Sequence, residues 1–283
     1  MAIDNAQILA ELDPDQLAVV TAISGPVCVI AGAGTGKTRV ITNRIAYAIN
    51  AGVTDPTKVL ALTFTAKAAG EMRARLRVLG ISNAAARTFH SAALKQLLYF
   101  WPYAFGGQFP SLLTTKSGFI SQAITRAEVA IPAQVNALRE IASEIEWAKV
   151  LEISPADYQE RAIESSRLVK LPNSKTQGEN LSMIAQVYEA YESLKKQERT
   201  LDFEDVLLLT VGMLEEDRGV RERIQDQYRY FTVDEYQDVS PLQQRLLNLW
   251  LGNRQEICVV GDAAQTIYSF AGATSNFLLN FQN

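Results

Sequence analysis

The stretch Ala31-Gly32-Ala33-Gly34-Thr35-Gly36-Lys37-Thr38 constrains this chain more than any other. An apolar run, Val27-Cys28-Val29-Ile30, feeds it, and a helix-spaced pattern leaves it. Small residues let successive backbone N–H groups turn inward around an anion, and the helix that follows points the positive end of its dipole at the same place. The phosphate-loop pattern has Gly, four residues, then Gly-Lys-Ser/Thr, with the lysine reaching β- and γ-phosphates and the hydroxyl binding Mg²⁺. Ala31 stands where the first glycine is usual; Gly34, Gly36, Lys37 and Thr38 stand where the chemistry needs them. The local expectation is strand, anion cradle, helix.

The flanking sequence extends this unit in both directions. Asp13-Pro14 predicts a helix start, with the aspartate as N-cap and proline at the first helical position, running towards Ile23. Val27 to Ile30 is short, continuous and partly β-branched, as for a strand covered on both faces. Val40, Ile41, Ile45, Ala48 and Ile49 recur at helical spacing, which predicts a helix from Lys37 to about Asn50 with Gly52 as its C-terminal cap. A second strand at 58–63, a basic helix carrying Lys67, Met72, Arg73, Arg75 and Leu76, and a helix from Ser91 to Phe100 follow.

From Trp101 the composition changes. The next ninety or so residues carry no strand-like run, and 116–129, 133–150 and 178–197 show helical periodicity around a loop at 171–175. The sheet pattern then resumes with Tyr230-Phe231-Thr232-Val233 and with 256–260. The class expected is α/β, a parallel sheet flanked by helices from 1–104 and 201–283, with 105–200 as an all-helical insertion.

Composition narrows the function. The net charge is −4, so a basic face must be local. Between Phe64 and Lys95 the cations are Lys67, Arg73, Arg75, Arg77, Arg87 and Lys95 against the single acid Glu71. Cys28 and Cys258 both sit in apolar strand-like runs and read as reduced core residues, too few for a structural zinc site. The N-terminus lacks a basic, then apolar, export signal and no run of about 18 apolar residues occurs, so no membrane partner is expected and the cytoplasm is the default.

A phosphate cradle alone says nucleotide. The strand ending in Asp234-Glu235 adds hydrolysis, because such a site needs an acid on Mg²⁺ and a group to orient or activate water. Asp234 fits the metal role, Glu235 the water role, and Gln265 beyond the next strand could sense the γ-phosphate. A nucleotide with β- and γ-phosphates and Mg²⁺ are expected, and the resemblance that follows implies that the nucleotide is ATP.

These motifs, taken in order, resemble the superfamily 1A DNA helicases of the UvrD/Rep/PcrA type, and particularly their actinobacterial second UvrD-like paralogue. The resemblance rests on 12–16, Gly32 to Arg39, 62–69, Thr88-Phe89-His90-Ser91, Leu201-Asp202-Phe203-Glu204-Asp205, Val233 to Asp238, and Val260-Gly261-Asp262 through Gln265 to Phe270. It implies a RecA-like motor domain 1A with a 1B insertion, 3′ to 5′ polarity on single-stranded or partly duplex DNA, and a bacterial cytoplasmic role in DNA repair or replication.

By position, it further implies that Gln16 reads adenine and Arg39 packs on the base, with Ala33, Gly34, Thr35, Gly36, Lys37 and Thr38 around the phosphates. Thr38 and Asp234 would hold the metal, Glu235 would be the catalytic base, and Gln265 would couple nucleotide state to DNA. Phe64, Thr65, Lys67, Thr88, His90, Tyr268 and Phe270 would lie along the DNA strand. Aromatic faces stack on unpaired bases for about 1–3 kcal/mol each. For each aromatic the alternative is a packing role, and for His90 a helix-start hydrogen bond.

Ala263, Ala264 and Ala271 depart from the family, which often has acids and an arginine there. Family members continue into a second motor domain (2A/2B) that supplies transition-state arginines, worth about 10³–10⁵ in rate in related phosphoryl transfers. This chain stops at Asn283 and is expected to turn over little by itself. The alternatives are a nucleotide- and single-strand-binding module without turnover, or the motor subunit of a helicase–nuclease complex.

Overall fold

Short apolar runs separated by helical segments favour one arrangement, a parallel sheet with right-handed helical crossovers on its faces. The computed structural model, which describes residues 4–172, 176–266 and 272–281, has that arrangement. In chain order the elements are α1 (Asn5–Leu9), α2 (Pro14–Thr21), β1 (Val27–Ile30), α3 (Lys37–Asn50), β2 (Val59–Thr63), α4 (Ala66–Val78), β3 (Ala85–Thr88) and α5 (Phe89–Ala104). Then come β4 (Ser111–Leu112), α6 (Ser117–Arg126), α7 (Val135–Val150), α8 (Tyr158–Glu164), α9 (Gln177–Glu198), β5 (Thr200–Leu201) and α10 (Phe203–Glu216). The last are α11 (Arg218–Gln227), β6 (Tyr230–Val233), α12 (Pro241–Leu251), β7 (Ile257–Gly261) and α13 (Asn276–Leu279).

The main sheet has the order β1-β7-β6-β2-β3, with every pairing parallel. Its register puts Ile30 opposite Gly261, Val259 opposite Val233, Val233 opposite Leu62, and Thr63 opposite Thr88. All five strands therefore end along one rim, which is where open parallel sheets bind ligands. The interior strands β2, β6 and β7 are buried throughout.

β1 corrects the expectation of a strand covered on both faces. It is an edge strand, half-buried for three residues, and Ile30 is 67% exposed. Cys28 is accordingly half-buried rather than a core residue, while Cys258 is buried and burial pushes its thiol up to about 11. Both are free thiols.

Helix starts follow their local chemistry. Asp13 and Ser240 each accept from the backbone three residues on, and the Gln16 and Gln243 side chains reach back to close two capping boxes, each with proline next in sequence. α3 is buried on nearly every side, including Arg44, whose guanidinium lies 5.1 Å from the Tyr230 ring centroid and whose Nε donates to Ala22 O at 3.0 Å. That cation is tolerated inside because ring and carbonyl both meet it.

Among the described residues the chain divides into two compact units, 4–100 with 210–266 and 273–281, and 101–209 with 272; the division falls inside α5 and α10. The second unit is helical around Ile120, Ile141, Ile145, Tyr158, Ile184 and Tyr191, apart from the two-residue parallel pair β4–β5. α8, absent from the sequence reading, supplies Tyr158, whose hydroxyl donates to the buried Glu144 carboxylate at 2.7 Å.

A charged network is sealed within this unit. Lys149 Nζ is 2.8 Å from Asp202 Oδ1 and also bonds Asp205; Lys195 Nζ is 2.9 Å from Asp202 and 2.6 Å from Asp205; the Tyr191 hydroxyl donates to Asp202 at 3.0 Å. Asp202 and Asp205 also accept from each other's backbone N–H at 2.9 Å, which starts α10. Burial by itself would raise the Asp202 carboxyl, but Lys149, Lys195 and Lys116 outweigh it and hold it well below the usual carboxylate range. The carboxylates of Glu192, Asp202 and Asp205 are close enough to share a cation, and the two lysine ammoniums already fill that role.

No helix among the described residues is long and apolar enough to cross a membrane.

Candidate nucleotide site and nucleic-acid face

The loop after β1 turns through two glycines with positive φ, Gly34 at +79° and Gly36 at +80°. Gly36 is the residue from which α3 starts, in left-handed conformation. The Thr35 hydroxyl donates back to Gly32 O at 2.9 Å, and Ala31 N donates to Gly261 O at 3.1 Å, tying the loop to the end of β7. Gln16 Nε2 donates to Thr35 O at 3.1 Å, so the predicted adenine reader is joined to the loop. A cavity of about 530 Å³ opens beside it, lined by Asp13, Gln16, Val29, Thr35, Lys37 and Val40 among others.

A Cβ on Gly36 would sit 3.4 Å from Gln16 Nε2 in a conformation that L-residues avoid. Gly36→Ala is therefore expected to cost about 1–2 kcal/mol, lowering the melting midpoint by about 2–8 °C in a calorimetric scan.

Lys37 and Thr38 open the first turn of α3 and face the end of β6. Thr38 Oγ1 donates to Asp234 Oδ2 at 3.5 Å, and Lys37 Nζ lies 3.6 Å from Glu235 Oε2. Asp234 is buried, its N–H continuing the ladder to Leu62 O at 2.9 Å. Burial, and then the Glu235 charge beside it, push its carboxyl up to about 6. Glu235 has φ +52°, a left-handed backbone that costs a non-glycine residue about 1–3 kcal/mol and aims the two carboxylates differently.

Two residues that the sequence reading gave no role complete the site. Gln237 Nε2 donates to Glu235 Oε2 at 2.8 Å, while its Oε1 accepts from Asp262 N at 3.0 Å. Asp262 in turn accepts from Gln265 Nε2 at 2.5 Å and from Ala264 N at 3.0 Å. Gly261 is required for this approach, since a Cβ there would lie 2.5 Å from Gln237 Oε1. The available signal was a polar residue just beyond each strand end.

Other predicted residues are placed as follows. Arg39 is engaged with Glu11, its NH2 3.0 Å from Oε2 and 3.1 Å from the main-chain O. Ala33 lies exposed in the loop. Phe64 is half-buried just after β2, Thr65 caps α4 by accepting from Ala68 N at 3.1 Å, and Lys67 is exposed. Thr88 and Ser91 exchange hydrogen bonds at 3.0 and 3.1 Å to start α5, and His90 sits half-buried in the first turn of that helix. Phe89 is buried against Trp250, centroids 6.0 Å apart. Tyr268, Phe270 and Ala271 lie outside the described residues.

Comparison with known proteins agrees with this geometry. The sequence matches the UvrD/REP helicase N-terminal domain over residues 12–283. It is 46% identical to ATP-dependent DNA helicase UvrD2 of Mycobacterium tuberculosis over 99% of this chain and 40% of that protein. It is 33% identical to ATP-dependent DNA helicase PcrA of Leuconostoc citreum, over 94% of this chain and 34% of that one. Against PcrA of Staphylococcus aureus the identity is 30%, over 97% and 36% respectively. The chain thus spans about two fifths or less of the length of these relatives. With a glycine-rich loop, paired acids and a family match over nearly its whole length, the chain belongs to the UvrD/REP helicase family through that family's N-terminal domain.

Proposed function

We propose that this chain is the ATP-binding motor portion of a DNA helicase that couples hydrolysis to movement along single-stranded DNA, in DNA repair or replication in the bacterial cytoplasm. The observation that carries the reading is the meeting of Lys37 and Thr38 with Asp234 and Glu235 on one rim of the sheet. Mg²⁺ bound to nucleotide supplies charge neutralisation at the phosphates. Thr38 and Asp234 fit that ion: Asp234 is a buried carboxyl pushed up by its surroundings, and a nearby divalent charge favours its ionised form. Gln16 and Thr35 would border the base, the loop from Ala33 to Gly36 the phosphates, and Lys37 the β- and γ-oxygens. Glu235 would accept the proton of the attacking water, held in place by Gln237.

The same reading assigns turnover to joint action with a second motor domain of the 2A/2B kind, which would contribute arginines to the γ-phosphate. The chain alone then binds nucleotide and turns it over slowly. Phosphate release from the chain, with and without oligo(dT), tests this: vigorous release abolished by Lys37→Ala would overturn the need for a partner domain. Where turnover is measurable, Glu235→Gln is expected to lower kcat at least about 100-fold while nucleotide affinity changes little, the pattern for a general base.

A further inference from the structure

At the edge of the sheet opposite β1, strand β3 borders a second cleft, of about 580 Å³, wholly within the sheet-bearing unit. Four strand spacings, about 19 Å, separate it from the phosphate loop. Three cations line it, Arg73 from α4, Arg87 from β3 and Lys95 from α5, and among the described residues that line it there is no aspartate or glutamate. By contrast Arg75, two residues further along α4, pairs with Glu71 one helical turn before it, at 2.8 Å. Arg87 lines the cleft while its buried Nε has no hydrogen-bond partner within the described structure, and Thr57, Asn83, Thr88 and Ser91 bring hydroxyl and amide groups to the same lining. The floor is small, with Ala66, Ala69 and Ala86 leaving room for a ligand.

Two edge groups of β3 are already taken. Arg73 NH1 donates to Ala86 O at 2.6 Å, and Thr88 N donates to Ser91 Oγ at 3.0 Å. An added peptide strand would have to displace both, whereas a phosphate needs donors alone. Thr88, already expected on the DNA path, lines the same cleft.

We propose that Arg73, Arg87 and Lys95 form a phosphodiester site that holds the backbone of single-stranded DNA after it leaves the aromatic track. This rests on the reading that the chain engages single strands. Because the contact is to phosphate, it sets salt dependence and not base preference.

The test is a titration of the whole chain with fluorescent oligo(dT) over a series of salt concentrations. For Arg87→Gln with Lys95→Gln, the slope of log K against log salt should shrink by about 1.4, roughly 0.7 for each lost phosphate contact. Affinity for a fluorescent ATP analogue should stay at the wild-type value, which certifies the fold, and Arg87→Lys with Lys95→Arg should restore most of the slope. Phe64→Ala, by contrast, should weaken binding with its slope intact. A double variant that folds and keeps the wild-type slope overturns the site even if Phe64→Ala behaves as expected. A shrunken slope with an indifferent Phe64→Ala keeps the site and removes the aromatic track. Poly-glutamate competing as well as oligo(dT), and losing as much in the double variant, would make the cleft a peptide site and overturn the proposal, as would a wild-type chain that binds no oligo(dT).

Discussion

Lys37→Ala is expected to weaken binding of Mg²⁺·ATP by roughly 10- to 150-fold, the loss of one charge-assisted contact of about 1.5–3 kcal/mol. Equilibrium titration with a fluorescent ATP analogue reads it directly. Stability should hardly move, because in the folded chain the lysine pairs with Glu235, whose side chain is 40% exposed and loses little when its partner goes. A nucleotide defect without a thermal one therefore marks a binding residue. Unchanged affinity would mean that the loop after β1 is a structural turn.

Lys149→Met should show the opposite pattern. The lysine is sealed among Asp202, Asp205 and Glu192, and removing it leaves the three acids in direct contact with Lys195, with Lys116 acting on Asp202 through its charge. Breaking a buried pair in this way costs about 3–5 kcal/mol, a fall of about 6–20 °C in the melting midpoint by calorimetry. Nucleotide affinity should stay close to that of the wild-type chain. The pH dependence has a definite sign: Asp202 is held below its ordinary value of 3.8, so its contribution is complete above that value and disappears as pH falls through the depressed folded value. Lys149 is held well above 10.5, so its contribution is complete below that value and disappears as pH rises through the elevated one. A midpoint that drops on mild acidification between pH 7 and 5 because of this network would contradict the assignment.

What the sequence discloses depends on how locally each structure is determined. The turn from β1 into α3 is readable because Gly34 and Gly36 fix it through their own backbone conformation and the helix starts at once after it. Asp13-Pro14 is readable as a helix start for the same reason. β3 was not, since Ala85-Ala86-Arg87-Thr88 has little of the β-branched, apolar character that marks a strand, and its pairing with β2 decides its state. β1 looked like an interior strand because apolar content does not say which position in the sheet a strand takes. The sequence places the unit boundary at 104 and 201, and the compact units divide near 100 and 210, inside the helices α5 and α10, whose periodicity runs on across the division. The lysines that neutralise Asp202 include one 53 positions away, a distance at which no spacing rule operates.

At the site, the acids were legible but their connection was not. Gln237 has one carbonyl and one amino group at its tip, and its neighbours leave that amide a single workable orientation: a backbone donor at Asp262 meets the oxygen, and the Glu235 carboxylate meets the nitrogen. The end of β7 and the carboxylate that follows β6 therefore share a rigid strut about one side chain long. A displacement of Asp262, to which Gln265 is also bonded, either breaks its bond to Gln237 or carries the Gln237 amide with it and so shifts the partner of Glu235. Glutamine at this position joins the two strand ends through two hydrogen bonds, so a pull that both bonds survive is carried from the end of β7 to the Glu235 carboxylate.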